Sequence, residues 1–144
     1  MQFVHQSFKT RDINFQIEGL DRVFMVPADE LLLDVFENLM INSVRHNTNL
    51  TVEIIIRISK TVEDNTNFVK IEFIDNAVGI NDRRKDAIFE RGLKQNYGLT
   101  GLGLGLSLVK KIVNRYNGKI WVENRVEDDY TKGSNFVLMI PEIN

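Results

Sequence analysis

The 144-residue chain has no cysteine, two prolines, two histidines and one tryptophan. Without cysteine, disulfides and thiolate metal sites are excluded. No charge of one sign dominates: 18 Lys and Arg against 20 Asp and Glu leave a net charge of −2, which argues against a broad nucleic-acid footprint. The longest apolar runs, such as residues 136–140, fall far short of the ~20 residues that a membrane-spanning helix needs. Residues 1–9 are mixed and polar and lack a signal-peptide pattern. Repeats and low-complexity segments are also missing. What is present is an ordinary globular composition, 43% hydrophobic and 26% charged. Its length suits one domain that buries roughly two-thirds of its unfolded surface. A single domain is expected over residues 1–144, with residues 1–11 as a boundary or linker remnant.

Hydrophobic periodicity orders the chain. Ile13, Phe15 and Ile17 alternate with polar residues as in a half-buried strand, and residues 23–26 read as a short second strand that Pro27 stops. Asp29 suits the N-cap of a helix over residues 30–46, whose packed face carries Leu32, Val35, Phe36, Leu39, Met40 and Ser43. Val52, Ile54, Ile56 and Ile58 predict a strand, residues 63–67 a turn, and Val69, Ile71 and Phe73 the returning strand ending at Asp75. A short helix is expected over residues 82–90, with Ile88 and Phe89 turned inward, and a mobile loop over residues 91–100. A second long helix ends at Asn117-Gly118, and residues 119–123 and 134–140 form two closing strands. This order predicts an α+β two-layer sandwich, a mixed sheet with about three helices on one face.

Three features carry chemistry. Residues 101–106 read Gly-Leu-Gly-Leu-Gly-Leu and lead into the second long helix. Glycines on alternate positions let a ligand approach the backbone, and a helix N-terminus offers unpaired N–H groups and a positive dipole end to a phosphate. A tight turn of small residues would show the same pattern. Asn38 and Asn42 lie one turn apart, about 6 Å along the axis, on a face shared with Asp34 and Arg45. Their amide oxygens suit magnesium, and a solvated polar stripe is the plainer alternative. Asp75 ends a strand and is followed by Asn-Ala-Val-Gly-Ile. Its acceptor-only carboxylate could take a proton from an exocyclic amine such as that of adenine, or simply start a turn. Gly79 would let a flat ring lie against the backbone. A dinucleotide loop needs a third glycine where Leu106 stands, and is rejected.

In this order and spacing the sequence resembles the catalytic ATP-binding domain of sensor histidine kinases, part of the GHKL group with gyrase, the heat-shock chaperone ATPase and the mismatch-repair protein MutL. Residues 37–46 (ENLMINSVRH) resemble the N box, 75–80 (DNAVGI) the G1 box and 88–92 (IFERG) the F box. Residues 100–109 (TGLGLGLSLV) resemble the G2 box, and 132–136 (KGSNF) a small motif before the last strand. The resemblance runs from about residue 12 to 141 and implies the Bergerat ATP-binding fold. It also implies ATP and magnesium as cofactors. Asn38 and Asn42 would be the catalytic pair, with Asn42 coordinating the metal and Asn38 supporting the phosphate end. Asp75 would bind the adenine amine, with Gly79 and Ile80 along the base and Ser134 assisting. Gly101, Gly103 and Gly105, with Thr100, Leu102, Leu104 and Leu106 between and beside them, would face the triphosphate. Residues 91–100 would form the ATP lid. Arg45 and Lys94 are phosphate candidates, and Tyr97 a lid contact. Ala77 departs from the family by standing where a G1 glycine is usual.

Hydrolysing members of the group carry a glutamate four residues before the magnesium asparagine. Here that residue is Asn38, which cannot accept a proton at neutral pH. Poor hydrolysis would preserve the γ-phosphoryl group for another nucleophile. His46 lies in the N box and His5 lacks the setting of a phosphoacceptor, so the acceptor histidine is expected outside this chain. The resemblance therefore implies autophosphorylation in two-component signalling, in a full-length homodimer. The partners would be a histidine-bearing dimerisation domain and a response-regulator receiver domain, with no nucleic acid and no membrane contact by this domain. A cytoplasmic location is expected for the domain, with a membrane tether possible elsewhere in the full-length protein. The alternatives are an anti-sigma-type protein-serine kinase and a non-catalytic nucleotide-binding interaction module.

Overall fold

The computed structural model describes residues 12–19, 21–45, 47–90 and 102–143, with the side chains of residues 102–104 left aside. The proposed linker remnant, residues 1–11, and the proposed lid, residues 91–100, lie outside the described residues. Five strands form one mixed sheet: β1 (Asp12–Glu18), β2 (Thr51–Glu63), β3 (Thr66–Asp75), β4 (Lys119–Val126) and β5 (Asp129–Pro141), in the spatial order β1-β2-β3-β5-β4. β1 runs parallel to β2, and the other neighbours are antiparallel. β2 and β3 meet at Asp64-Asn65, both with positive φ (51° and 63°), as a two-residue hairpin turn of this hand requires.

Two helices, α1 (Leu31–Arg45) and α2 (Leu102–Arg115), lie on one face of the sheet. Val35, Leu39, Met40 and Val44 of α1 and Leu106, Val109, Ile112 and Val113 of α2 share a core with Ile54, Ile56, Ile71, Phe73, Phe136 and Leu138. Phe36 meets Phe73 edge to face, with ring centroids 5.5 Å apart. The expected N-cap is present: the Leu31 backbone N–H donates to Asp29 Oδ1 at 3.0 Å. The Tyr116 hydroxyl, just beyond α2, also donates to Asp29 Oδ1 and so ties the end of one helix to the start of the other. The expected C-cap is present too. Asn117 adopts φ 60° and the Gly118 N–H donates to the Val113 carbonyl at 3.0 Å. The opposite face of the sheet carries a lateral polar ladder. Arg57 Nε lies 2.9 Å from Glu18 Oε1, Arg57 also faces Glu72, and Asn135 Nδ2 donates to Glu72 at 2.9 Å.

The two-layer mixed-sheet architecture matches expectation, and three local readings change. Residues 23–26 form no strand. Val23 and Met25 are exposed, Phe24 and Val26 pack against the core, and the Ile143 N–H donates to the Met25 carbonyl at 2.8 Å. The expected helix over residues 82–90 resolves into two 3-10 turns, Asp82–Arg84 and Ala87–Phe89. Only Ile88 and Phe89 are buried there, too few apolar positions to anchor a longer amphipathic helix. Finally, Gly103 and Gly105 are not in a loop ahead of a helix but inside the first turns of α2.

Candidate functional site

A cavity of about 260 Å³ opens between the end of β3, the first 3-10 turn, α1 and α2. This is slightly below the usual ~300–1,000 Å³ of small-molecule sites, and suits a flat base better than a whole nucleotide. Six of the residues singled out from the sequence converge on it: Asn42, Asp75, Gly79, Ile80, Leu106 and Ser134. They come from α1, β3 and its following loop, α2, and β5.

Asp75 sits at the floor, 3% exposed. β3 brings it there because Ile71, Phe73 and Asp75 share the core-facing side of the strand, and the carboxylate takes the last position of that row. It accepts the Ala77 N–H at 3.1 Å, the Ser134 N–H at 3.3 Å, and the Ser134 hydroxyl at 3.2–3.3 Å. Burial pushes its carboxyl above the usual aspartate value, while the Ser134 and Ala77 N–H groups and the Ser43 and Ser134 hydroxyls oppose that shift. Ser43 donates to the Leu39 carbonyl at 3.1 Å and also neighbours Asp75, where its hydroxyl favours the charged carboxylate. A carboxylate held in this way can accept a hydrogen bond from an exocyclic amine in a largely dry setting.

Two glycines shape this floor through protein contacts. A Cβ on Gly79 would lie 2.4 Å from the Tyr130 carbonyl oxygen and 2.7 Å from that of Gly133. Gly79 therefore allows the loop to dock on the β4–β5 hairpin, and its N–H donates to the Tyr130 carbonyl at 2.8 Å. This docking gives the glycine a reason independent of any flat ring against the backbone. Gly133, at φ 131°, packs on the Asp75 carbonyl and sets Ser134 beside the carboxylate. Ala77 is buried in the cavity lining and has no positive φ, so its backbone needs no glycine.

Asn38 and Asn42 part company. Asn42 lines the cavity, whereas Asn38 Nδ2 donates to the Asp34 carbonyl at 2.7 Å and its Oδ1 points at Gly105. A Cβ on Gly105 would meet that oxygen at 2.5 Å, so the nearest neighbour of this glycine face is the Asn38 amide. Arg45 is exposed on the last turn of α1 and is not among the cavity-lining residues. Lys94, Tyr97, Thr100 and Gly101 lie outside the described residues. Leu102, Gly103 and Leu104 are in the first turn of α2, with their side chains outside the description.

The cavity also takes residues that periodicity did not mark as functional: Val78, Arg84, Ile88 and Phe136. Phe136 is stacked edge to face by Phe89, at 6.2 Å between centroids. Arg84 had no signal in the sequence beyond its charge. Ser43 had one: a small polar residue in the middle of an apolar helix face. Among the described residues no cluster of three or more His, Asp or Glu forms a metal cage. The neutral Asn42 oxygen at the cavity fits a magnesium ion that arrives with phosphate oxygens and water.

Residues 28–144 match the family described as histidine kinase-, DNA gyrase B-, and HSP90-like ATPase, and the chain belongs to that family. Its fold is that of histidine kinase catalytic domains. The catalytic domain of the histidine kinase ThkA superposes with a TM-score of 0.76 at 26% identity, over 98% of this chain and 90% of that one. The adaptive-response sensory kinase SasA of Gloeothece citriformis is 33% identical over 118 residues, 78% of this chain and 27% of the kinase. SasA of Synechocystis is 31% identical over 141 residues, 94% of this chain and 33% of the kinase. The chain thus spans about a third or less of the length of these relatives. None of the described helices is long and apolar enough to cross a membrane.

Proposed function

We propose that this chain binds magnesium-ATP and supplies the γ-phosphoryl group for histidine autophosphorylation in two-component signalling, on an acceptor carried by a separate helical dimerisation domain. The observation that carries the reading is Asp75, a buried carboxylate on the floor of a cavity that the Asn42 amide also lines. Asp75 reads an adenine amine within the cavity, and Asn42 holds magnesium with phosphates that extend out of it. The relatives support the same reading, since they are named as sensory kinases.

Asn38 supports transfer over hydrolysis. Its amide donates to the Asp34 carbonyl and has no basic site to activate water. Phosphoryl transfer depends mainly on positioning and charge neutralisation, so a domain without its own base remains competent once an imidazole is presented. The first turns of α2 present backbone N–H groups to the triphosphate, with Gly101, Gly103, Thr100, Leu102 and Leu104 beside it. Arg45 and Lys94 are the candidates for phosphate contact, and Tyr97 for a lid contact. A response-regulator receiver domain takes the phosphoryl group onward, the full-length protein acts as a homodimer, and the domain works in the cytoplasm.

The test is calorimetric titration with magnesium-ATP, followed by incubation with labelled ATP and a histidine-bearing dimerisation domain. The expected outcome is magnesium-dependent binding, slow hydrolysis, and an acid-labile, base-stable phosphoryl label on the added domain. An acid-stable label on serine would favour the serine-kinase alternative, and binding without transfer to any acceptor would leave a nucleotide-binding interaction module.

A further inference from the structure

Asn76 follows Asp75 at the end of β3, and no part of the proposed chemistry uses it. Its carboxamide nevertheless joins three separate stretches of chain. Oδ1 accepts from Asn47 Nδ2 at 2.6 Å and from the Glu53 backbone N–H at 2.9 Å. Nδ2 donates to the Thr51 carbonyl at 3.1 Å. The Asn76 backbone carbonyl accepts from Asn49 Nδ2 at 2.7 Å. Asn47, itself 2% exposed, accepts in turn from the backbone N–H and Nδ2 of Asn49, at 2.9 and 2.8 Å. The exit of α1, the start of β2 and the end of β3 are thus closed into one hydrogen-bonded knot.

This arrangement needs an acceptor and a donor on one short planar group, which among the side chains of that length only asparagine provides. Aspartate would keep both bonds to Oδ1 but turn a carboxylate oxygen against the Thr51 carbonyl. The knot also adjoins, along the chain, two of the residues that line the cavity. Asn42 is five residues before Asn47 on the α1 side, and Asp75 immediately precedes Asn76 on the β3 side. Local rigidity on each side, helix on one and sheet on the other, transmits the knot's geometry to both groups.

We propose that Asn76 is a positioning residue that sets the separation of Asn42 from Asp75, and hence the match between the phosphate end and the adenine end of a bound nucleotide. The proposal rests on the nucleotide reading of this cavity. A ligand that touches only the Asp75 end gains nothing from the correct spacing, whereas one that spans both ends depends on it.

The experiment compares binding of magnesium-ATP and of adenosine to the 144-residue chain and its Asn76→Ala and Asn76→Asp variants, with thermal melting recorded in parallel. Asn76→Ala removes three hydrogen bonds of the knot and should weaken ATP by about tenfold or more, the factor that ~1.4 kcal/mol of lost alignment carries. Adenosine should change by less than about twofold on the same reasoning, since its contacts stay local to Asp75. Asn76→Asp should fall between. If Asn76→Ala fails to fold, Asn47→Asp opens the knot from the other side and should give the same split. Equal weakening of ATP and adenosine, or no weakening of either, overturns the positioning role while leaving nucleotide binding intact. A wild-type chain that binds neither ligand overturns the nucleotide reading and this proposal together.

Discussion

Replacing Gly105 by alanine separates two roles that a glycine in this helix could have. Inside a helix, Gly→Ala is worth about 0.8–1 kcal/mol of added stability. The new Cβ, however, would lie 2.5 Å from Asn38 Oδ1 and 3.5 Å from Asn38 Cγ, where a comfortable contact is about 3.5 Å. The obstructing atom is the tip of a short side chain, so the cheapest relief is rotation of the Asn38 amide. That rotation gives up the 2.7 Å hydrogen bond to the Asp34 carbonyl, a net loss of about 1 kcal/mol. The two effects nearly cancel, and the melting temperature should move by less than about 4 °C. Phosphoryl transfer should fall far more, since a misplacement of about 1 Å at a reacting site can cost about a hundredfold. The assay is single-turnover transfer to an added dimerisation domain, repeated in an Asn38→Ala background. There the oxygen is gone, so Gly105→Ala should cost no further activity and should recover its helix-propensity gain. A loss of the same factor in both backgrounds, or a melting temperature lowered by more than about 8 °C, would refute the reasoning.

Other outcomes follow from the same geometry. Asp75→Asn exchanges an acceptor-only group for an amide and should weaken ATP by roughly ten- to over a hundredfold, from about 1.5–3 kcal/mol for a hydrogen bond to a charged group; unchanged calorimetric affinity would remove adenine from this floor. Because burial holds the Asp75 carboxyl above 3.8, the folded chain keeps a proton that the unfolded chain has already released. Across the window from that value up to the raised one, the Asp75 contribution to ligand-free stability should decline as pH rises, while ATP affinity increases. Denaturation and calorimetry over a pH series check both slopes. Asn42→Ala should weaken magnesium-ATP much more than metal-free ATP, and equal losses would make Asn42 merely structural. The Tyr116 hydroxyl holds the Asp29 carboxyl below its ordinary 3.8, so their bond stabilises the fold above that value and its contribution fades as pH falls through the lowered one. Tyr116→Phe should therefore destabilise at neutral pH, with the difference from wild type shrinking in acid, as chemical denaturation at the two pH values would show.

How much of this was legible beforehand differs between fold and site. Alternation in residues 52–58 and 69–73 marked two strands and their inward faces, because side chains on a strand repeat every two residues. The Asp29 cap and the Asn117-Gly118 stop marked helix ends, because those are properties of a few adjacent residues. Residues 23–26 misled for a related reason. They have strand-like composition, but a strand also needs a partner, and the Met25 carbonyl pairs only with an N–H supplied from Ile143. The box order singled out Asn42, Asp75, Gly79, Ile80, Leu106 and Ser134, which the fold then gathers around one cavity.

Local sequence by itself determined the periodic elements, their caps, and the candidate groups for a nucleotide site. Tertiary structure alone decided which of those groups face each other. It set Gly105 against the Asn38 amide, Gly79 against the β4–β5 hairpin, and Ser43 beside Asp75, and it closed Asn47, Thr51, Glu53 and Asn76 into one knot. The physical reason is that periodicity encodes which side of an element is buried. What it is buried against depends on residues tens of positions away, brought close only when helix and sheet pack.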